Sequence, residues 1–200
     1  MNRKGKVGYI RKEKIRRALI TAISFALPLG LYMIATGYFG SNKNIFTIVA
    51  VLGILPAAKF MVGWIVMLPQ KSAPAGIVSV TEEKAGDLVH GYELVVTAYE
   101  GKMQLDAVVI CGNECACYTS IGDPKQFDFF EKHISGILNA NEYYNVNVKI
   151  FNEERNYTDR ITKLAENPQM YRDSVTHAKE GQEPREREEL ILYVIKRISL

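Results

Sequence analysis

The sequence predicts an α/β (α+β) domain with a mixed four-stranded sheet and flanking helices, preceded by a two-helix transmembrane hairpin. Three observations carry that expectation. Two apolar runs stand close together near the start, at 18–38 (ALITAISFALPLGLYMIATGY) and 45–68 (IFTIVAVLGILPAAKFMVGWIVML), the first without charge and the second with Lys59 alone. Beyond a segment rich in proline and small residues at 69–76, strand-like and helix-like periodicities alternate over 77–200. Charge is also divided unevenly. Residues 1–17 hold eight Lys/Arg against Glu13 alone, a local +7, whereas 72–200 hold fourteen against twenty-one Asp/Glu, a local −7.

The basic head, 1–17 (Arg3, Lys4, Lys6, Arg11, Lys12, Lys14, Arg16, Arg17), abuts the first apolar run. Lys/Arg bias beside a span keeps that end cytoplasmic, and the same residues make anionic lipid head groups a partner for the head. A bilayer core of roughly 30 Å takes about 20 helical residues, which each run supplies, so the lipid bilayer is the first expected partner. A cleaved signal peptide fits less well, because its apolar core spans only about 7–15 residues and here a second run follows at once. The tip, 39–44 (FGSNKN), carries one basic residue, Lys43, and is expected outside. Two crossings return the chain, placing both termini on the cytoplasmic side of a plasma membrane. Pro28 and Pro56 are expected to kink the spans, and Gly53 and Gly63 to let the helices approach closely; such small residues also permit a homo-oligomer. Lys59, an ionisable group within a span, is the intramembrane candidate.

In the soluble part, 81–89 (TEEKAGDLV) suggests a helix capped by Thr81. Strands follow at 92–99 (YELVVTAY), 103–111 (MQLDAVVIC) and 114–121 (ECACYTSI), joined by turns at 100–102 and 112–113. Phe127, Phe130, Ile134, Ile137 and Leu138 recur at helical spacing within 125–139. A fourth strand is expected at 145–151 and helices at 158–166 and 169–179. The last segment, PREREELILYVIKRISL, has acids at its start and Lys196-Arg197 near its end, as a helix dipole favours, although 190–195 suits a buried strand equally.

The order helix, three strands, helix, strand, helix resembles, over about 70 residues, the core of the restriction-endonuclease-like (PD-(D/E)XK) superfamily, including its nuclease-related membrane-associated branch. In that family an Asp opening the second strand and a Glu-x-Lys on the third hold Mg²⁺ and support the attacking water. Asp106 stands where that Asp would be. The third strand has no Glu-x-Lys: Glu114 precedes Ala116, and the next lysine is Lys125. The resemblance therefore implies an inactive relative, or, as an alternative, a membrane-tethered metal-dependent hydrolase using Asp106 with Glu93 or Glu114.

Cys111, Cys115 and Cys117 are an odd, clustered set, which suits a reducing compartment and core packing better than a disulfide framework; a zinc site would need a distant His90 or His133 as fourth ligand. His90, His133 and His177 fall in no nucleophile pattern. No cofactor motif stands out, and the acidic domain argues against nucleic acid as a partner. The expectation is a membrane-anchored, non-catalytic cytoplasmic binding or scaffolding domain with a protein partner. The alternatives are the hydrolase and a small transporter or channel subunit in which Lys59 lines a path.

Overall fold

The structure is a computed structural model that describes residues 4–40, 45–99, 101–175 and 183–200. Residues 41–44 of the expected tip, residue 100 of the first turn, His177 and the end of the helix expected over 169–179 lie outside the described residues. The chain divides into two compact units, Ile10–Lys71 and Met1–Tyr9 with Ser72–Leu200.

The first unit is a helical hairpin. Helix α1 runs Tyr9–Phe39 and α2 runs Ile45–Met67; both are long and apolar enough to cross a membrane. Helix α1 starts nine residues before the expected 18. The stretch from Tyr9 to Arg17 contains no breaker, and Glu13 pairs with Arg16 at 3.3 Å and Arg17 at 3.0 Å, three and four residues on. The two helices meet along small residues. Thr21, Pro28 and Ala35 are buried at intervals of seven on α1, and Ala50 and Ala57 at the same interval on α2. A Cβ on Gly53 would lie 3.2 Å from Cβ of Pro28, so Gly53 sits at a close approach. At the other end Arg17 Nη1 donates to the Gly63 carbonyl at 3.1 Å and Lys14 Nζ to the Leu68 carbonyl at 2.7 Å. Helix α2 has no basic residue in its last turn, so α1 supplies the cations that favour a helix C-terminus.

The second unit is α+β. Its elements are α3 (Ala75–Ala85), β1 (Val89–Ala98), β2 (Gly101–Cys111), β3 (Glu114–Tyr118), a 3₁₀ turn (Pro124–Gln126), α4 (Phe127–Ala140), β4 (Asn147–Phe151), α5 (Glu154–Glu166), α6 (Pro168–Asp173) and α7 (Pro184–Ile198). The sheet order is β1-β2-β3-β4, with the first three antiparallel and β4 parallel to β3. The sheet is therefore mixed and four-stranded, and helices cover both faces. Phe130, Ile134 and Leu138 of α4 and Ile191, Leu192 and Ile195 of α7 pack on Val108, Ile110, Cys115 and Cys117. Ile77 and Ala85 of α3 and Tyr157, Ile161 and Leu164 of α5 pack on Ala107, Val109, Cys111 and Ala116.

Several boundaries differ from expectation. The first helix occupies Ala75–Ala85 rather than 81–89, with Pro74 at its start, where a fixed φ suits a helix, and Gly86 at φ +51 ending it. Thr81 is not a cap: it is buried late in α3, with its hydroxyl 3.1 Å from that of Tyr157. Strand β3 stops at Tyr118 rather than 121, because the Ser120 N–H turns to the Asp106 carboxylate. The last segment agrees with the helix that its terminal charges favour over a buried strand, forming α7.

At the β2–β3 turn Gly112 adopts φ +59, and a Cβ there would collide with the Tyr171 carbonyl oxygen of α6. Gly112→Ala is expected to destabilise the protein by roughly 2–4 kcal/mol, combining left-handed strain with that clash. The denaturation midpoint of the detergent-solubilised full chain measures it; an unchanged midpoint would contradict the tight docking of α6 on this turn.

Candidate functional site

The outer edge of β1 is covered by both ends of its own unit. Tyr92 N–H donates to the Gly5 carbonyl at 3.0 Å, and Leu200 N–H to the Val95 carbonyl at 2.9 Å. Between these bridges stands Glu93, at φ +54 and 1% exposed. Its Oε1 accepts the backbone N–H of Gly8 at 2.8 Å and of Ala73 at 3.2 Å. Asp106, 0% exposed, lies opposite it in the β1–β2 register, between the pairs Tyr92–Ala107 and Leu94–Leu105. It accepts from the Gln104 side-chain amide and, at 2.7 Å, from Ser120 N–H. Side-chain alternation changes phase at these two residues. Tyr92 and Ala107 pack on the α3/α5 side, whereas Leu94 and Leu105 join the α4/α7 cluster.

The third carboxylate, Glu114, is not part of this arrangement. It begins β3, while Asp106 bonds just beyond the other end of that strand, whose five residues span roughly 17 Å. Glu114 instead holds Arg160 at 2.6 Å and the Asn147 side-chain amide at 2.9 Å. Nearby, Arg172 makes a two-pronged pair with Glu188 at 2.9 Å for each contact; Glu188 also accepts Gly112 N–H at 2.8 Å, and Arg187 binds the Gly112 carbonyl and the Asn113 side chain. These charges fasten α5, α6 and α7 around one turn, and nothing in the sequence spacing foretold them.

The cysteines do not form one cluster. Cys115 and Cys117 face α4 and α7 with their sulfurs 3.7 Å apart; Cys111 faces the other side, its thiol 3.6 Å from the Pro168 carbonyl. Burial first, and then the Glu188 carboxylate, push the Cys111 thiol up to about 11; its bond with Cys115 and burial raise Cys117 as well. Among the described residues no three His, Cys, Asp or Glu side chains gather as a metal site. His133 stacks on Phe129 with ring centroids 6.1 Å apart. Lys59 is exposed on α2.

One open groove of about 620 Å³ lies within the α+β unit. Along α7 it is lined by Glu186, Glu189, Tyr193 and Lys196, and across from these by His90 and Lys4. Gly91 brings β1 close to α7: a Cβ there would meet Leu192 Cδ1 at 3.0 Å and Lys196 Cε at 3.6 Å. His90 Nδ1 lies 2.9 Å from the Leu88 carbonyl, an acceptor, so Nδ1 carries the hydrogen. A glycine inside a strand, followed by Tyr92, was the available sign of this close approach.

Glu93→Ala would leave the Gly8 and Ala73 N–H groups without that acceptor and is expected to cost roughly 2–4 kcal/mol in denaturant unfolding, with Glu93→Gln, which keeps an oxygen, costing less. Equal losses would mean that the carbonyl-type acceptor is not what matters. Tyr92 gives a second prediction, read against pH. Its hydroxyl is buried without a hydrogen-bond partner among the described residues, and burial, followed by Glu82, raises it from 10.0 to about 12. The unfolded chain therefore releases this proton first. The stability the group contributes is complete below pH 10 and is lost as pH rises through about 12. Tyr92→Phe is expected to match or exceed the parent's stability at pH 7 and to fall less between pH 10 and 12, as denaturation midpoints across that range will report.

No family model, curated protein or solved structure matches this chain.

Proposed function

We propose that the protein is a two-span membrane-anchored binding module, with the hairpin as anchor and the α+β unit as a non-catalytic binding domain on the cytoplasmic side. The observation that carries this reading is the surface of the hairpin. In the most apolar stretches of α1 and α2 only 17% and 11% of residues are buried, while Leu27, Met33, Ile34, Leu55 and Val62 stand exposed. Leaving each large apolar side chain in water forgoes roughly 1.5–3 kcal/mol, and a bilayer covers them all at once. The basic residues on the first two turns of α1 support a cytoplasmic start by charge bias. A binding rather than catalytic role is favoured because Glu93, Asp106 and Glu114 are each engaged by backbone or side-chain donors. Lys59, exposed on α2, is within reach of the interface by extension of its side chain, which leaves a transport path without a specific observation in its favour.

The test has two parts. The full chain is expected to stay in the membrane pellet after alkaline carbonate extraction. A cysteine placed at exposed Glu166 on α5 should react with an impermeant maleimide in inverted vesicles but not in intact cells, the native thiols being buried. Release by carbonate would overturn the anchor, and labelling in intact cells would overturn the cytoplasmic side.

A further inference from the structure

Lys196 stands out among the charges of the α+β unit. Its side chain lies over two glycines: a Cβ on Gly5 would collide with Cε, and one on Gly91 would come within 3.6 Å of it. The stem is thus held in a slot that only glycine leaves open. Half-burial lowers its proton affinity, which the Glu189 carboxylate partly restores and the neighbouring Lys6 opposes. Among the described residues no carboxylate comes within ion-pair distance of the ammonium, whereas Arg160, Arg172 and the buried Arg187 of the same unit have named partners. A partly desolvated cation with no carboxylate within ion-pair distance is costly unless something anionic reaches it.

The groove supplies the rest. At this end Lys4 adds a second positive charge, its Nζ anchored on the Ser199 carbonyl at 2.7 Å, and His90 adds a ring whose Nδ1 is already committed to Leu88. At the other end are Glu186 and Glu189; Glu189 reaches Arg185 only at 3.7 Å across a solvent-exposed pair. Between them lie Tyr193, Leu190 and Val89. The seven residues from Glu189 to Lys196 rise about 10 Å along the helix, so the groove is basic at one end, acidic at the other and apolar between. Its volume of about 620 Å³ falls within the range of small-molecule sites.

We propose that this groove binds a small zwitterion, its anionic group at Lys196 and Lys4 and its ammonium end at Glu186 and Glu189. A phosphate or a carboxylate meets the same cationic end, so the class comprises short free peptides and phosphorylated amines. This deepens the reading of the α+β unit as a binding module and is independent of the anchor, which carbonate extraction tests separately.

Calorimetric titration of the detergent-solubilised full chain, which retains Lys4 and Gly5, tests it with Ala-Ala-Ala and O-phosphoethanolamine as zwitterions and with N-acetylated Ala-Ala-Ala, amidated Ala-Ala-Ala and inorganic phosphate as single-charge controls. The expected result is saturable binding of at least one zwitterion, about tenfold or more tighter than its controls. Lys196→Met should abolish it with an unchanged melting temperature. The double variant Glu186→Gln/Glu189→Gln should reduce zwitterion binding about tenfold and leave any phosphate binding as it was. Absence of binding by both zwitterions, controls that bind as tightly as the zwitterions, or full binding by the Lys196→Met protein would each overturn the proposal.

Discussion

The carboxylate of Glu93 is the contact that holds the two separate stretches of the α+β unit, Met1–Tyr9 and Ser72–Leu200, to each other where the chain leaves and re-enters it. One oxygen accepts N–H groups from Gly8, just before α1, and from Ala73, just after the hairpin. The two strands of chain that enter and leave Ile10–Lys71 are therefore fastened to the same atom. A buried carboxylate is poorly tolerated unless donors surround it, and backbone N–H groups at chain crossings are poorly tolerated unless an acceptor reaches them. Each requirement answers the other. The left-handed φ of Glu93 is part of the same solution, because it turns the side chain out of the regular alternation of β1 toward the edge where those two segments pass.

That local departure has consequences for the sheet. Once β1 slips phase at Glu93, β2 must slip with it to keep Leu94 beside Leu105 and Tyr92 beside Ala107. Asp106 occupies the matching position and is likewise tied down, to Gln104 and Ser120. The far half of the hairpin then packs its apolar residues, Leu94, Val96, Met103 and Leu105, on the α7 side. The tail after α7 bonds back to Val95 on the same strand. An edge strand that would otherwise offer unpaired backbone groups is thereby closed by the unit's own ends. The two most conspicuous acids of the sheet are explained by this architecture, and neither is free to serve as a solvent-exposed base.

The order of elements was legible because hydrophobic period differs between helix and strand: Phe130, Ile134 and Leu138 could only be one face of a helix, and MQLDAVVIC only a buried strand. The alternation of charge along α7 distinguished it from a strand by its ends rather than its apolar centre. Thr81 misled because Thr followed by two acids is a capping pattern, while the same hydroxyl serves equally to bond a buried tyrosine; Pro74 was the better marker of where the helix begins. Glu93 was opaque for a different reason. Left-handed backbone at a glutamate has no sequence signature, being imposed by segments 20 and 85 residues away. The groove was equally hidden, since His90 and Lys196 meet only after α7 has folded over β1. The glycines at 5 and 91 were its only local trace.

Charge near the chain's start can now be divided by task instead of summed. Lys4 and Lys6 belong to the α+β unit, one bonded to the Ser199 carbonyl and the other felt by Lys196. Lys14 and Arg17 bond carbonyls near the C-terminal end of α2, where a helix accumulates partial negative charge. Arg17 and Arg16 also share Glu13. Arg11 and Lys12, with the exposed side of Arg16, remain turned outward on α1. Lys6 is exposed as well, so four of the described cations, Lys6, Arg11, Lys12 and Arg16, are open to an anionic surface, at roughly 1 kcal/mol for each. In the proposed reading attachment rests mainly on the apolar faces of the two helices, while Lys14 and Arg17 cap α2 and Lys4 and Lys196 form the cationic end of the groove.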